Sequence, residues 1–313
     1  MTNLRFGPLL LLLFVAPCLT AYVVAGCRTK VVVSVLDRSR TPVRGLSAQN
    51  FRATFHGRPA SILSSQYSES PRRVAIVLDA SSSVTEDKLS WDMARTLAVN
   101  IALAPGIRAG LVVFATSVVE TLDFSHSGHE IVERIKQLSI PSVRWKDRQT
   151  ALRDSILQAA DLFGTPEVGD SVYIVSDGGD NRSQASRANV EQQLSNRGLR
   201  AFAYILKNRA ALNDEERPGE YELRQLAEVT GGTSQGSFGP AQKDPETQLQ
   251  HDLAKLSDQM VKFYQLEVAL PEGYDKGIWK VEVVNAEGIK MKHIFIRSVH
   301  EFAACSKGKD EGK

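Results

Sequence analysis

The amino-acid sequence predicts an α/β protein in which a doubly wound, mostly parallel, Rossmann-like sheet carries a small β domain formed by strands near both ends of the chain. The first observation is the continuous apolar run at residues 74–78, which is typical of a strand buried on both faces of a parallel sheet. The second is that such runs alternate with helical patterns over residues 71–263. The third is that residues 28–70 and 264–300 show strand patterns without a helical period, so we expect these two flanks to pair with each other.

The central region is expected to alternate strands and helices in a regular order. After the strand at 74–78, apolar residues at a spacing of four predict a helix over residues 89–101, which Pro105 and Gly106 stop. The other strands expected here are residues 110–115, 118–122, 172–175 and 200–206. The other helices expected here are residues 131–138, 152–163, 190–194, 221–229 and 248–263. Residues 230–240 are rich in glycine and are expected to act as a connector.

The two flanks are expected to consist of short strands joined by turns. His56 and Gly57 form a turn pair in the first flank, where the glycine supplies a positive φ. The strands expected in the flanks are residues 30–36, 51–55, 60–67, 265–270, 278–284 and 291–297. Residues 301–313 are charged and are expected to form a flexible tail.

Composition excludes several classes of protein. The 313 residues carry 38 Lys and Arg against 36 Asp and Glu, a formal charge of +2. This balance argues against binding of nucleic acid, which usually needs a strongly basic face. Three cysteines are too few for a disulfide framework or for a cysteine-rich zinc module.

The N-terminal residues have the layout of a secretory signal. Arg5 is the only charge before Arg28, and residues 9–15 form an apolar run that ends before Pro17. The run is short for a membrane-spanning helix, which needs about 20 apolar residues. We therefore expect residues 1–26 to be a signal peptide and the mature protein to be exported.

Cys27 admits two interpretations that exclude each other. Residues 24–27 read Val-Ala-Gly-Cys and resemble a bacterial lipobox, which implies that Cys27 is acylated and anchors the protein to a membrane of the bacterial cell envelope. The alternative is ordinary cleavage near Ala25, which leaves a secreted protein with a plain thiol. In that case Cys27 and Cys305 would be the only mature cysteines, and they could pair in an oxidising compartment.

Oxygen-bearing side chains follow the ends of several predicted elements. Asp79, Ser81 and Ser83 come directly after the buried strand at 74–78, Thr150 precedes a helix, and Asp177 follows the strand at 172–175. Each position lies at the carboxyl edge of the predicted sheet, where open α/β sheets bind their ligands. Carboxylates and hydroxyls suit a hard cation such as Mg²⁺, which takes oxygen ligands and keeps some coordination positions for other molecules.

These motifs resemble the metal-ion-dependent adhesion site, or MIDAS, of von Willebrand factor type A (VWFA) domains. The resemblance rests on Asp79-x-Ser81-x-Ser83, then Thr150, then Asp177-Gly, in that order between residues 73 and 232. With less specific motifs, nearly the whole mature chain is also similar to the secreted bacterial proteins described as acidobacterial VWFA-related.

The resemblance implies a role for each residue of the motif. Ser81 and Ser83 would bind Mg²⁺ or Mn²⁺ through their hydroxyls, and Thr150 would bind it directly in one state and through water in another. Asp79 and Asp177 would act mainly through water, and the sixth position would accept a carboxylate from a protein partner. The chain departs from the family pattern at Ser82, where glycine is usual, and at residues 148–149, where Arg-Gln replaces the common glycines.

Three functions remain open at this point. The first is a non-enzymatic, metal-dependent binding module of the adhesion type. The second is a metal-assisted hydrolase, for which Asp180 or Asp123 would have to serve as the general base. The third is a metal-free structural module of the cell envelope, in which the polar residues only cap helices and form turns. We interpret Asp180 and Asn181 as hydrogen-bonding groups that order their loop, not as ligands.

Overall fold

The computed structural model describes residues 27–138, 149–206, 217–236, 245–271, 273 and 276–303. The predicted signal peptide, Cys305 and residues 304–313 of the predicted tail lie outside these ranges. None of the helices within them combines the length and the apolar character that a membrane crossing requires.

Strands and helices alternate through the middle of the chain, and only strands occur near its ends. The strands are β1 (Arg28–Leu36), β2 (Phe51–Phe55), β3 (Arg58–Ser68), β4 (Arg72–Asp79), β5 (Ile107–Phe114), β6 (Val118–Leu122), β7 (Ser171–Ser176), β8 (Arg200–Ile205), β9 (Ser234–Gly236), β10 (Phe263–Ala269), β11 (Lys276–Val283), β12 (Phe295–Ser298) and β13 (Glu301–Ala303). The helices are α1 (Ser82–Thr85), α2 (Lys88–Ala102), α3 (Gly128–Gln137), α4 (Leu152–Asp161), α5 (Arg187–Asn196), α6 (Arg217–Val229) and α7 (Pro245–Val261).

One sheet is antiparallel and draws its strands from both ends of the chain. Its seven strands lie in the order β12-β1-β10-β3-β2-β11-β13. β1 pairs with β10, where Val31 lies opposite Leu266, and β10 pairs in turn with β3. Alternate residues of these strands point inward and form a separate apolar core around Phe55, Tyr264 and Trp279.

The predicted fold class is therefore wrong for this chain as a whole. The antiparallel sheet has seven strands and the other sheet has six, so the protein is not a doubly wound parallel sheet with a small β appendage. Each flank alone contains only a few short strands, which is why the sequence suggested a minor domain. Once β1 and β3 enclose β10, the two flanks form one continuous sheet with its own core.

The six-stranded sheet has the order β6-β5-β4-β7-β8-β9. The pairs that join β5, β4, β7, β8 and β9 are parallel, and β6 pairs with β5 in the antiparallel sense. The chain leaves β4 towards β5 on one side and returns to β7 on the other. In open sheets of this kind such a reversal leaves a crevice at the carboxyl ends of the strands. Asp79 is the last residue of β4 and therefore lies at that edge.

Helices cover both faces of the six-stranded sheet. Helices α2, α3 and α7 pack on one face with Leu97, Ile135 and Leu256, and helices α4, α5 and α6 contribute residues such as Ile156 and Leu194 to the other. β4 is buried on both faces, which explains why its sequence is continuously apolar instead of alternating.

Some element boundaries differ from the sequence-based expectation. The predicted connector at 230–240 contains β9, and Phe263 begins β10 instead of ending the helix before it. The predicted flexible tail begins too early, because residues 301–303 form β13 and pair with β11. Leu89, expected on the core-facing side of α2, is 60% exposed, while Trp91 is buried.

A buried arginine joins the two sheets at the amino edge of the six-stranded sheet. The terminal nitrogens of Arg200, the first residue of β8, donate to Ser34 Oγ of β1 at 3.4 Å and to the carbonyl oxygens of Gln259 and Met260 at 3.1 and 2.6 Å. Burial, and to a smaller extent the charge of Arg72, lower the pKa of Arg200 to about 9. A guanidinium that is fully buried needs several acceptors, and here β1, the C-terminal turn of α7 and the carbonyl oxygen of Gly169 before β7 supply them.

Candidate metal centre

The first part of the candidate site is the short loop after β4. The loop is held to the neighbouring strand because Ala80 N donates to Phe114 O at 2.7 Å. Asp79 and Ser81 are buried, and helix α1 begins at Ser82. This tight exit from β4 keeps the side chains of Asp79, Ser81 and Ser83 at the carboxyl edge.

Hydrogen bonds fix both oxygens of the Asp79 carboxylate. Oδ1 accepts from Ser81 N at 2.8 Å, and Oδ2 accepts from Ser176 Oγ at 2.6 Å. Ser176 ends β7, the strand beside β4, and its Oγ accepts from Gly178 N at 3.0 Å. The same hydroxyl therefore orients Asp79 and anchors the loop that carries Asp177.

The two serine hydroxyls of the motif lie next to each other. Ser81 Oγ and Ser83 Oγ are 3.1 Å apart. Ser81 is the N-cap residue of α1. Its carbonyl oxygen accepts from Thr85 N at 2.9 Å and from Thr85 Oγ1 at 2.9 Å. The Ser81 side chain makes no hydrogen bond that caps this helix.

Thr150 approaches the same edge from another part of the chain. The next residue, Ala151, donates its N–H to Ala115 O just beyond β5 at 2.9 Å. Thr150 itself donates its N–H to Asn181 Oδ1 at 2.8 Å, and its carbonyl oxygen accepts from Asn181 N and Arg182 N at 3.2 and 3.1 Å. Thr150 is therefore held between the end of β5 and the loop that follows Asp177.

Asp177 has one oxygen that nothing in the described part of the chain satisfies. Oδ1 accepts from Gly179 N at 3.1 Å, whereas Oδ2 is buried and has no hydrogen-bond partner there. The loop has little room to move, because Gly178 has a φ of +90° and a Cβ on it would lie 2.5 Å from the carbonyl carbon of Gly219 in α6. A buried carboxylate oxygen without a donor is costly unless a cation or a water satisfies it.

The electrostatics of the site show two carboxylates close to each other. The pKa of Asp79 rises from 3.8 to about 7, first because of burial and second because of the negative charge of Asp177. The hydrogen bonds from Ser176 and Ser81 act in the opposite direction and do not offset these effects. Burial and a neighbouring like charge are the two conditions that disfavour an ionised carboxylate, and a bound cation would relieve both.

The residues present fit a hard divalent cation. Asp79, Ser81, Ser83 and Asp177 supply carboxylate and hydroxyl oxygens, which are the donors that Mg²⁺ and Mn²⁺ prefer, and Asp177 has an oxygen without a donor. Within the described residues there is no group of three or more His, Cys, Asp or Glu side chains that could hold a metal. A metal at this edge would therefore depend on hydroxyls as well as carboxylates, and such a set suits a hard cation.

The structure brings the predicted residues to one edge, and Ser176, which had no predicted role, also contacts Asp79 there. Asp79 and Asp177 interact, Ser81 contacts both Asp79 and Ser83, and Thr150 is tied to the Asp177 loop. The interpretation of Asp180 and Asn181 as loop-ordering groups is confirmed by their hydrogen bonds. Ser176 directly precedes Asp177-Gly178 in the motif and ends the buried strand β7.

Cys27 is disulfide-bonded in this structure, and its partner lies outside the described residues. A sulfur in a disulfide cannot also carry a thioether-linked lipid, so this bond and acylation of Cys27 exclude each other. Acylation of Cys27 remains a prediction about the mature protein.

Comparisons with known proteins give loose structural matches only. A scan against family models and a sequence search of curated proteins both give no match. Among solved structures, BatB from Bacteroides thetaiotaomicron is 16% identical with a TM-score of 0.44, and the match covers 60% of this chain and 98% of that one. An aerotolerance-related membrane protein from Bacteroides fragilis is 17% identical with a TM-score of 0.44, over 60% of this chain and 99% of that one.

A third similar structure carries a metal at a site of the type discussed above. It is proximal thread matrix protein 1 from the mussel byssus, described with a zinc-occupied MIDAS motif. It is 18% identical with a TM-score of 0.48, and the match covers 66% of this chain and 50% of that protein.

Proposed function

We propose that this protein is an exported, non-enzymatic binding module that captures a carboxylate of a partner protein through a divalent cation, Mg²⁺ or Mn²⁺, at the carboxyl edge of the six-stranded sheet. The observation that supports it best is the pair of buried carboxylates, Asp79 and Asp177, one of which has a buried oxygen without a donor. The fold keeps these like charges together although burial and their mutual repulsion oppose ionisation. A bound cation would relieve both effects and would keep the two carboxylates ionised.

The chemistry of the site suits capture of a carboxylate. Asp79, Ser81, Ser83, Thr150 and Asp177 would hold the ion, and hydroxyl donors leave it more net positive charge than an all-carboxylate set would. When bound, the ion would supply a positive charge with a coordination position open to a partner's Asp or Glu. With a formal charge of only +2 on the chain, attraction of an acidic partner would depend on this local charge.

The hydrolase alternative has weaker support, because neither candidate base is well placed. Asp180 accepts from Arg153 N at 2.7 Å through Oδ2 and from Ser183 N at 3.1 Å through Oδ1. Hydrogen bonds from Ser125 lower the pKa of Asp123, which makes this exposed carboxylate a weaker base. A general base should have a pKa near the working pH.

Metal binding can be tested by calorimetry with Mg²⁺ and Mn²⁺ on chelator-treated protein. We expect wild type to bind one ion, and Asp177→Asn to weaken binding by about 100-fold because it removes a charged ligand. Asp161→Asn is the matched control: Asp161 ends α4, is 70% exposed and pairs with Arg197 away from the site. Absence of binding by wild type, or equal affinity in Asp177→Asn, would contradict the proposal and favour a metal-free structural module.

Carboxylate capture can be tested with bound Mn²⁺ as a probe. The relaxation rate of water protons reports how many waters the ion carries. We expect acetyl-Gly-Glu-Gly-amide, whose only carboxylate is the Glu side chain, to lower this rate by displacing a water. The matched acetyl-Gly-Gln-Gly-amide has no carboxylate and should leave the rate unchanged. Equal effects of the two peptides would contradict carboxylate capture. Turnover of phosphoester or peptide substrates that disappears in Asp177→Asn would instead support the hydrolase.

Export and anchoring need a separate measurement. Mass spectrometry of the mature N-terminus distinguishes an acylated Cys27 from a disulfide-bonded one. An acyl mass on Cys27 would place the module on a membrane surface, and an oxidised pair would indicate a protein released into an oxidising compartment. Retention of residues 1–26 would contradict export.

A further inference from the structure

Thr150 and the start of α4 are held by a second loop through reciprocal hydrogen bonds. We call residues 180–185, which follow Asp177, the clip. Asn181 makes two hydrogen bonds with Thr150: its Oδ1 accepts from Thr150 N at 2.8 Å, and its N–H donates to Thr150 O at 3.2 Å. The N–H of Arg182 donates to the same carbonyl oxygen at 3.1 Å. The peptide groups on both sides of the Thr150 side chain are thus tied to the clip.

The clip also caps α4 from a distance. The N-cap residue Ala151 has no side chain that can accept from the first turn. Asp180 Oδ2 accepts from Arg153 N at 2.7 Å, and Ser183 Oγ accepts from Asp154 N at 3.0 Å. These acceptors satisfy N–H groups that an α-helix leaves unpaired in its first turn.

The helix in turn holds the clip. The Asp154 carboxylate accepts from Gln184 N and Ala185 N at 3.0 and 2.9 Å, and Arg153 donates to Ala185 O at 3.2 Å. The Asp180 side chain is only 5% exposed and pairs with Arg153. Because the two segments satisfy each other's polar groups, neither can shift without leaving several donors and acceptors unpaired.

We infer that Asn181 is a positioning residue of the candidate metal centre: with the rest of the clip, it holds Thr150 at the carboxyl edge before a metal binds. This inference rests on the proposed function, since it assigns a role towards the ion. The resemblance implies that Thr150 binds the ion directly in one state and through water in another. The inference differs from this, because a loop that is already in place would bind the ion without moving. Groups that orient metal ligands typically contribute 10–100-fold to metal affinity.

A double-mutant cycle in the full mature chain tests the inference. We expect Asn181→Ala to weaken Mg²⁺ binding by about 10-fold in wild type and by less than about 2-fold in a Thr150→Ala background, because Asn181 acts through Thr150. Asn189→Ala, an exposed asparagine of α5, is the matched control and should leave the affinity unchanged. Equal losses from Asn181→Ala in both backgrounds, or no loss at all, would overturn the inference.

A second measurement uses metal-free protein and does not depend on the proposed function. Amide hydrogen exchange at Thr150 N should be at least about 10-fold faster in Asn181→Ala, and Asn181→Asp, which keeps the acceptor oxygen, should restore the protection. Unchanged exchange at Thr150 would overturn the positioning role. If wild type bound no metal but Thr150 N exchanged faster in Asn181→Ala, the proposed function would be wrong, whereas the positioning of Thr150 by the clip would be confirmed.

Discussion

The two edges of the six-stranded sheet both bury charge, but they compensate it differently. At the amino edge, Arg73 Nε donates to the buried Asp170 carboxylate at 3.1 and 3.3 Å, and Arg200 donates to Ser34 Oγ of β1 and to Met260 O of α7. At the carboxyl edge, Asp79 and Asp177 lie near each other, and the described residues bring no cationic side chain into hydrogen-bond contact with either carboxylate.

The difference bears on the proposal that the amino edge is structural and the carboxyl edge binds a cation. A buried charge that the protein itself compensates stabilises one arrangement of the chain and needs nothing more. A buried charge that the protein leaves uncompensated reduces stability, and it is retained in a fold where a ligand supplies the compensation. The contrast between the edges therefore supports a cation site at the carboxyl edge more directly than the motif does.

The largest expected effect is that the substitution of Asp by Asn changes the free energy of unfolding in opposite directions at the two edges. In metal-free protein at pH 8, Asp79→Asn should raise the free energy of unfolding by about 2–4 kcal/mol, because it removes a buried charge without a cationic partner. Asp170→Asn should lower it by about 3–5 kcal/mol, because the largely covered guanidinium of Arg73, 13% exposed, then loses its carboxylate partner. Urea denaturation of both variants and wild type measures these changes.

The control for this comparison is the addition of Mg²⁺. We expect Mg²⁺ to stabilise wild type and Asp170→Asn but not Asp79→Asn, since only the last lacks the site. A loss of stability in Asp79→Asn as large as that in Asp170→Asn would mean that both edges are structural.

The second prediction concerns pH. Because the pKa of Asp79 rises to about 7 in the folded protein from an ordinary value of 3.8, its protonated form is favoured by folding. The resulting stabilisation is fully present below about pH 4 and is lost as the pH rises towards 7, by roughly 4 kcal/mol at most. Wild type without metal should therefore lose stability between pH 5 and pH 8 relative to Asp79→Asn, as urea titrations across this range would show. Parallel pH profiles of the two proteins would contradict this assignment.

The affinity for Mg²⁺ should also depend on the protonation of Asp79. It should rise with pH, whereas the stability of the metal-free protein falls. Protons compete with the ion for Asp79, so we expect the affinity to fall by about 10-fold between pH 7.5 and pH 5.5. Calorimetry at several pH values measures this change. An affinity that does not depend on pH would show that Asp79 is not protonated when the ion is absent.

The smallest expected effect comes from Ser176. Ser176→Ala removes the hydrogen bond to Asp79 Oδ2 and should weaken Mg²⁺ binding by about 5- to 10-fold while every proposed ligand remains. Ser171→Ala, at the other end of β7, is the matched control, because Ser171 is equally buried but lies at the amino edge. Similar losses of affinity in the two variants would indicate a general effect of disturbing β7.

The first half of the candidate site could be predicted from the sequence because it is local. Asp79, Ser81 and Ser83 lie within five residues at the end of an apolar run, so a strand followed by a tight loop brings them together. The other half is not local: Thr150 and Asp177 reach the same edge through β5 and β7, and the positions of these strands depend on the order within the sheet. The contacts of Asn181 with Thr150 span 31 residues, and no spacing rule predicts them.

The sequence by itself determined the alternation of strands and helices, the apolar core strands and the oxygen-bearing residues at their ends, because these depend on burial periodicity within short segments. The pairing of the two flanks with each other was also expected from the sequence. Only the tertiary structure decided the number and the order of the seven strands, since strand partners more than 200 positions apart leave no local trace. It also decided which buried charges are compensated. Arg73 meets Asp170 and Asp79 meets Asp177 because β4 and β7 are neighbours. The same pairing therefore joins opposite charges at one edge and brings two carboxylates together at the other.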